Sequence, residues 1–106
     1  MRSIDSQTTI TREEVSRKVQ FEGAKVTEQG VTFGIMIVKP HVLNSTVEQV
    51  DLRRFGTKVF GPIPIVLMTQ DSRGIPTYQG RQDIVGFLSS IHPGRIPWRQ
   101  YTLSPV

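Results

Sequence analysis

Two runs of apolar residues dominate the chain, and each has the length of a strand. Residues 31–38 have the sequence VTFGIMIV, and residues 65–69 have the sequence IVLMT. Neither run alternates cleanly between apolar and polar positions, which is typical of a strand that is covered on both faces. Pro40 lies just beyond the first run, and proline does not continue a central strand. The pattern therefore predicts two interior strands, over residues 31–39 and 62–70.

Apolar residues at helical spacing follow the first of these strands. Leu52, Phe55 and Val59 fall on one face of a helix over residues 46–59, with Gly56 as an alternative end. Acidic residues lie early in this segment and basic residues late, which suits the helix dipole.

A second helix is predicted over residues 81–91, where Ile84 and Leu88 lie on the apolar side. A short strand over residues 75–79 comes before it and returns antiparallel to the interior strand. Pro76 lies in this short strand, which places the strand at an edge of the sheet.

The N-terminal part is open to two interpretations. Residues 24–28 form a hairpin with the strand that follows them. Before them, residues 11–14 have the spacing of a capping box, and Val15, Val19 and Phe21 then lie along one helical stripe. The same side chains also fit the alternation of a strand. We predict a short helix here.

The predicted fold class is α/β, a single small domain with a mixed sheet built on a β-α-β-β-α core. The two interior strands are joined by a helix, so we expect them to run parallel. Residues 99–103 are predicted to form a C-terminal edge strand. Residues 1–9 are predicted to be a disordered or frayed tail, and residues 10–106 the single domain.

Three consecutive segments, residues 63–67, 74–78 and 83–88, resemble the closing strand–strand–helix of thioredoxin-like domains. That family includes the N-terminal domain of glutathione transferases. Pro64 matches the position of the family's cis proline. The resemblance implies a thioredoxin-like fold. It implies no activity, because the redox cysteines of the family are missing here.

Composition excludes several classes of chemistry. The chain has no Cys, so disulfides, thiolate zinc sites and cysteine nucleophiles are ruled out. No apolar run is long enough to span a bilayer, and no secretory signal is evident, so we expect a cytoplasmic protein without a membrane partner. We predict no cofactor and no metal site. The net charge of +4 arises from residues 29–106, which hold eight basic and four acidic residues. This basic balance makes nucleic acid an alternative partner.

The carboxyl ends of parallel strands are the usual place for a ligand in an open α/β sheet. Polar residues follow both interior strands here, and the first helix begins at the same edge with unpaired backbone amides. The sequence therefore predicts an anion- or ligand-binding site at this edge. Its candidate residues are Lys39, His41, Ser45, Thr46, Asp71, Arg73 and His92.

The C-terminal segment combines aromatic and arginine side chains, the residue types that are enriched at protein interfaces. The candidate interface residues are Arg95, Trp98, Arg99 and Tyr101. No catalytic motif accompanies them, so the sequence favours a non-enzymatic domain that acts through protein association, as a homodimer or with another protein. The alternatives are nucleic-acid binding through the surface of residues 29–106, and a small ligand-binding or enzymatic domain at the edge around His41, Asp71 and Arg73.

Overall fold

The computed structural model describes residues 19–103, which form a five-stranded mixed sheet with a helix on each face. The elements are β1 (Val19–Glu28), β2 (Val31–Ile37), α1 (Thr46–Phe60), β3 (Ile65–Gln70), β4 (Pro76–Gln79), α2 (Gln82–Ser89) and β5 (Arg99–Leu103). Two short 3-10 helices, Pro40–Asn44 and Pro93–Arg95, lie in the connections. The predicted α/β class and the β-α-β-β-α core are confirmed.

The strand order is β4-β3-β2-β1-β5, which places the two most apolar strands in the interior. β2 and β3 are parallel, with Gly34 opposite Ile65 and Ile37 opposite Met68. β4 runs antiparallel to β3, and β5 runs antiparallel to β1. The predicted parallel pair and the predicted C-terminal edge strand are therefore both present.

Alternation along β2 divides the core into two layers. Met36 and Val38 belong to the layer under α1, and Ile35 and Ile37 belong to the layer under α2. All four side chains are buried, because a helix covers each face of this strand. Because both faces of β2 are buried, apolar and polar residues do not alternate in its sequence.

α1 continues through Gly56 to Phe60, because this glycine is the point at which the helix touches the sheet. A Cβ atom on Gly56 would lie 2.8 Å from Sδ of Met36 and 3.2 Å from a methyl carbon of Ile65. The missing side chain thus serves close packing, and the helix does not end at this residue.

The predicted N-terminal helix is wrong where the structure tests it. Val19 and Phe21 lie in β1, which also passes through Gly23. Phe21 is completely buried and packs its ring against Phe55 and Phe60, so the alternating pattern outweighs the helical one. The rest of that predicted helix, and the predicted tail over residues 1–9, lie outside the described residues.

Two further observations concern the described residues as a whole. No peptide bond within residues 19–103 is cis, the one before Pro64 included, and the thioredoxin-like resemblance stays a prediction. Within the same range, neither helix has the length and apolar character needed to cross a membrane.

Candidate functional site

The predicted site residues follow β2 and β3, but the sheet separates them into two groups. Lys39, His41, Ser45 and Thr46 lead from β2 into α1, on one face of the sheet. Arg73 and His92 line a groove on the other face, where α2 packs. The structure therefore does not bring all the predicted residues around one cavity.

Two residues of the group at the start of α1, Ser45 and His41, contact Glu48 in the first turn of the helix. Ser45 is the N-cap, and its Oγ accepts a hydrogen bond of 3.2 Å from the backbone N–H of Glu48. Nε2 of His41 lies 3.4 Å from Oε1 of the same glutamate, and the His41 side chain is mostly exposed. Ser45 thus satisfies one of the free backbone amides at the start of α1 from within the chain.

Asp71 organises the turn between β3 and β4. Its Oδ1 accepts hydrogen bonds from the backbone N–H groups of Arg73, at 2.8 Å, and Ile75, at 2.9 Å. Its Oδ2 lies 4.0 Å from Nη2 of Arg73, which is longer than a hydrogen bond. Asp71 thus holds the loop in shape and leaves the Arg73 guanidinium extended into solvent, with 79 % of that side chain exposed.

A groove on the described surface has a volume of about 530 Å³, within the range of ligand pockets. It lies at the carboxyl ends of β2 and β3, where ligands usually bind in such sheets. We call it the Trp98 groove. Its lining residues are Glu22, Ile37, Gln70, Arg73, Gly74, Ile75, Pro76, His92, Pro93, Gly94 and Trp98.

One wall of the Trp98 groove is a loop that its own hydrogen bonds hold in place. Nδ1 of His92 accepts a hydrogen bond from the backbone N–H of Gly94 over 2.9 Å. Nε1 of Trp98 donates to the carbonyl of Pro93 over 3.0 Å. The indole is half-buried against the apolar layer under α2. The wall is thus formed before any ligand arrives.

Sequence reasoning missed Glu22 and Ile37 as members of this groove. Glu22 lies in the part of the chain whose sequence fits a helix and a strand alike, and Ile37 lies within an apolar run. The pattern that identifies them is strand alternation, since Glu22 and Ala24 point to the same face of β1, and Ala24 lies in the layer under α2.

The predicted interface residues do not form one patch. Trp98 packs on the α2 side, whereas Tyr101 packs on the α1 side, stacked on Phe21 with 5.6 Å between ring centroids. Arg95 and Arg99 are exposed. Both aromatic side chains therefore contribute to the two apolar layers, and the role of the four residues as an interface stays a prediction.

A smaller groove of about 280 Å³ lies beside the C-terminal half of α2. We call it the Phe87 groove. It is mainly apolar, with Glu28 and Arg95 as its charged members. Its lining residues are Val26, Glu28, Phe87, Leu88, Ile91, Arg95, Ile96 and Pro97.

Few titratable groups in the described range have a shifted pKa. The hydrogen-bonded Arg81 guanidinium lowers the pKa of Asp83 to about 2. Burial raises the pKa of Tyr78, whose hydroxyl oxygen is buried and has no hydrogen-bond partner among residues 19–103. Within those residues, no three His, Asp or Glu side chains gather in a way that would hold a metal ion.

Comparison of the chain with protein-family models, with curated proteins and with solved structures gives no match.

Proposed function

We propose that the domain works by association with a second copy of itself through the outer edge of β5. The observation that carries this proposal is a contrast between the two edges of the sheet. β4 is protected against pairing, whereas β5 has no such protection within the described residues.

Three features protect the β4 edge. This strand has only four residues and begins with Pro76, which has no N–H to donate. Its last carbonyl, that of Gln79, accepts a hydrogen bond of 2.8 Å from Nη2 of Arg53. A partner strand would find few free backbone groups on this side.

The β5 edge is longer and is free of these features. It has five residues without a proline, and Arg99, Gln100 and Thr102 are exposed. Tyr101 fixes the strand to the domain through Phe21 and Phe60, at ring distances of 5.6 and 4.9 Å. Edge strands of this kind pair readily with another strand.

A symmetric dimer needs an antiparallel pairing of β5 with its own copy. When Tyr101 is the centre of the pairing, Gln100 of one chain faces Thr102 of the other. Arg99 then faces position 103, so that the two arginines do not oppose each other. This register avoids like charges, which destabilise strand pairs when they lie directly opposite.

The test introduces charge at the facing positions. Combining Gln100→Lys with Thr102→Lys places lysine opposite lysine twice in the dimer, so we expect a monomer of 12.0 kDa. The matched control combines Gln100→Lys with Thr102→Glu, which places opposite charges face to face and keeps the dimer. Sedimentation equilibrium or light scattering gives the mass of each.

The unmodified protein is expected at about 24 kDa, twice 12.0 kDa. A mass of 12.0 kDa for the unmodified protein at concentrations up to about 1 mM overturns the proposal. A dimer that survives in the double-lysine variant also overturns it, because the contact must then lie elsewhere.

Nucleic-acid binding stays a prediction with a separate test. Affinity for an oligonucleotide should fall steeply as salt rises, because lysine and arginine contacts to phosphate release counterions. No oligonucleotide binding at low salt removes this alternative.

A further inference from the structure

The Trp98 groove carries opposite charges on its two walls. Glu22 is on β1, and Arg73 is in the turn after β3. β2 lies between these strands, so their axes are about 10 Å apart. The groove also has apolar lining residues, with Ile37 buried on β2 between the two charged walls and Trp98 half-buried.

Within the described range, Glu22 has no ion-pair partner, and Arg73 has only a long contact of 4.0 Å with Asp71. Glu22 is half-buried, and its carboxylate makes no hydrogen bond or ion pair with any other residue of the described range. Arg73 comes no nearer than 4.0 Å to Asp71, whose other carboxylate oxygen is occupied by backbone amides. A half-buried carboxylate without a partner is costly, so a ligand cation at Glu22 is favoured. The exposed guanidinium of Arg73 is available to a ligand anion through charge-assisted hydrogen bonds.

Separation and polarity together define the ligand. Three residues in an extended chain span about 10 Å, which matches the spacing of the β1 and β3 axes, whereas a free amino acid is shorter. Apolar side chains would cover the exposed indole face of Trp98 and the side chain of Ile75, which is 52 % exposed. We propose that the Trp98 groove binds a short apolar peptide in its zwitterionic form, with the amino group at Glu22 and the carboxylate at Arg73.

The walls are already in their binding shape, which lowers the entropic cost of binding. Asp71 holds the turn that carries Arg73, and Gln70 donates from Nε2 to the carbonyl of Gly74 over 3.3 Å. On the other side, His92 and Pro93 fix the loop that leads to Trp98. This proposal does not depend on the dimer, because its residues are not the outward backbone groups of β5.

The test uses the tripeptide Leu-Ala-Leu in three forms: free, N-acetylated and C-amidated. Trp98 is the only tryptophan of the chain, so a saturable change in its fluorescence reports binding in this groove. The free peptide is expected to bind the unmodified protein about 3- to 10-fold more tightly than either blocked form, because each blocked form loses one charged contact.

Two variants assign each end of the peptide to its wall. In Glu22→Gln, the free and the N-acetylated peptides should bind equally, while C-amidation still weakens binding. In Arg73→Gln, the free and the C-amidated peptides should bind equally, while N-acetylation still weakens binding. Both side chains lie at the surface, and circular dichroism confirms that the variants are folded.

The matched controls are Glu28→Gln and Arg95→Gln, which change the same charges in the Phe87 groove. They should leave the affinity of all three peptides unchanged. The proposal fails when no saturable change occurs up to about 10 mM free peptide. It also fails when the three peptide forms bind equally to the unmodified protein, or when the controls weaken binding as much as the Trp98-groove variants.

Discussion

The missing side chain of Gly34 lets an aromatic ring lie directly on the sheet. A Cβ atom at this position would lie 2.7 Å from Cδ2 of Phe60 and 3.2 Å from a methyl carbon of Ile65. Phe60 is the last residue of α1, and it also packs its ring against Phe21 and Tyr101. Gly34 therefore sets the distance between the end of the helix and the sheet.

We predict that Gly34→Ala lowers the free energy of unfolding by about 1–3 kcal/mol, because the buried ring of Phe60 has to move. Gly86→Ala is the control. It lies inside α2 with open space around its Cβ position, and it should raise stability by about 0.5–1 kcal/mol. Urea denaturation of both variants measures the difference. Equal effects of the two substitutions would contradict this account of Gly34.

The carboxylate of Asp83 accepts two hydrogen bonds of 2.8 Å from the guanidinium of Arg81, at the start of α2. This pair lowers the pKa of Asp83 from 3.8 to about 2. Since the pKa is lower in the folded state, the contribution of the pair to stability is present above about pH 4 and is lost as pH falls through 2.

We predict that a carbon-13 NMR titration places the midpoint of Asp83 near 2, and that Arg81→Gln moves it up towards 3.8. An unchanged midpoint in Arg81→Gln would show that another group holds the carboxylate charged.

At the scale of elements, one arginine connects α1 to both β3 and β4. Nε of Arg53 donates to the carbonyl of Ile65 over 3.1 Å, and Nη2 donates to both the backbone carbonyl and the side-chain Oε1 of Gln79. Gln79 in turn donates to Oε1 of Gln49 over 3.1 Å. Burial lowers the pKa of Arg53, which still stays charged at neutral pH.

Replacing Arg53 by methionine keeps the apolar stem and removes these donors. We predict that Arg53→Met lowers the free energy of unfolding by about 2–3 kcal/mol, since two backbone carbonyls lose a charged partner. The neighbouring Arg54→Met should change stability by no more than about 0.5 kcal/mol, because that side chain is mostly exposed. Comparable losses of stability in both variants would show that the hydrogen bonds of Arg53 do not account for the effect.

The helices and strands could be predicted where a single pattern of apolar residues identified them. β2 and β3 follow from continuous apolar runs, and α1 follows from its apolar stripe and from the acidic and basic residues at its two ends. β1 was not recoverable over its full length, because the side chains of Val19 and Phe21 satisfy a helical and a strand period alike. Only contacts distant in sequence, with Phe60 and Tyr101, decide between them.

The candidate site was predictable only in its position along the strands. The rule for carboxyl ends of parallel strands places Arg73 and His92 at one edge of the sheet, and both residues line the Trp98 groove there. The rule does not indicate on which face of the sheet each residue lies. A helix can cover either side of a sheet, so whether His41 lies with His92 depends on packing that a single sequence does not reveal.

For the molecule as a whole, strand position should determine how quickly backbone amides exchange with solvent. We predict the slowest hydrogen exchange in β1, β2 and β3, which are each paired on both sides, and faster exchange in β4 and β5. If β5 forms the dimer contact, its exchange should slow as protein concentration rises, and β4 should be unaffected. Exchange in β5 that is independent of concentration would argue against the proposed association.

β5, the last described strand, pairs with the edge of β1 that β2 does not occupy. β1 pairs with β2 across a tight turn, but its other neighbour is β5, from the opposite end of the described chain. During synthesis on the ribosome, β1 therefore emerges long before its second partner. Until Tyr101 has been synthesised, the ring of Phe21 lacks the ring that stacks on it in the folded domain. At this stage the edge of β1 is unpaired, so a nascent chain can bind chaperones or other nascent chains there.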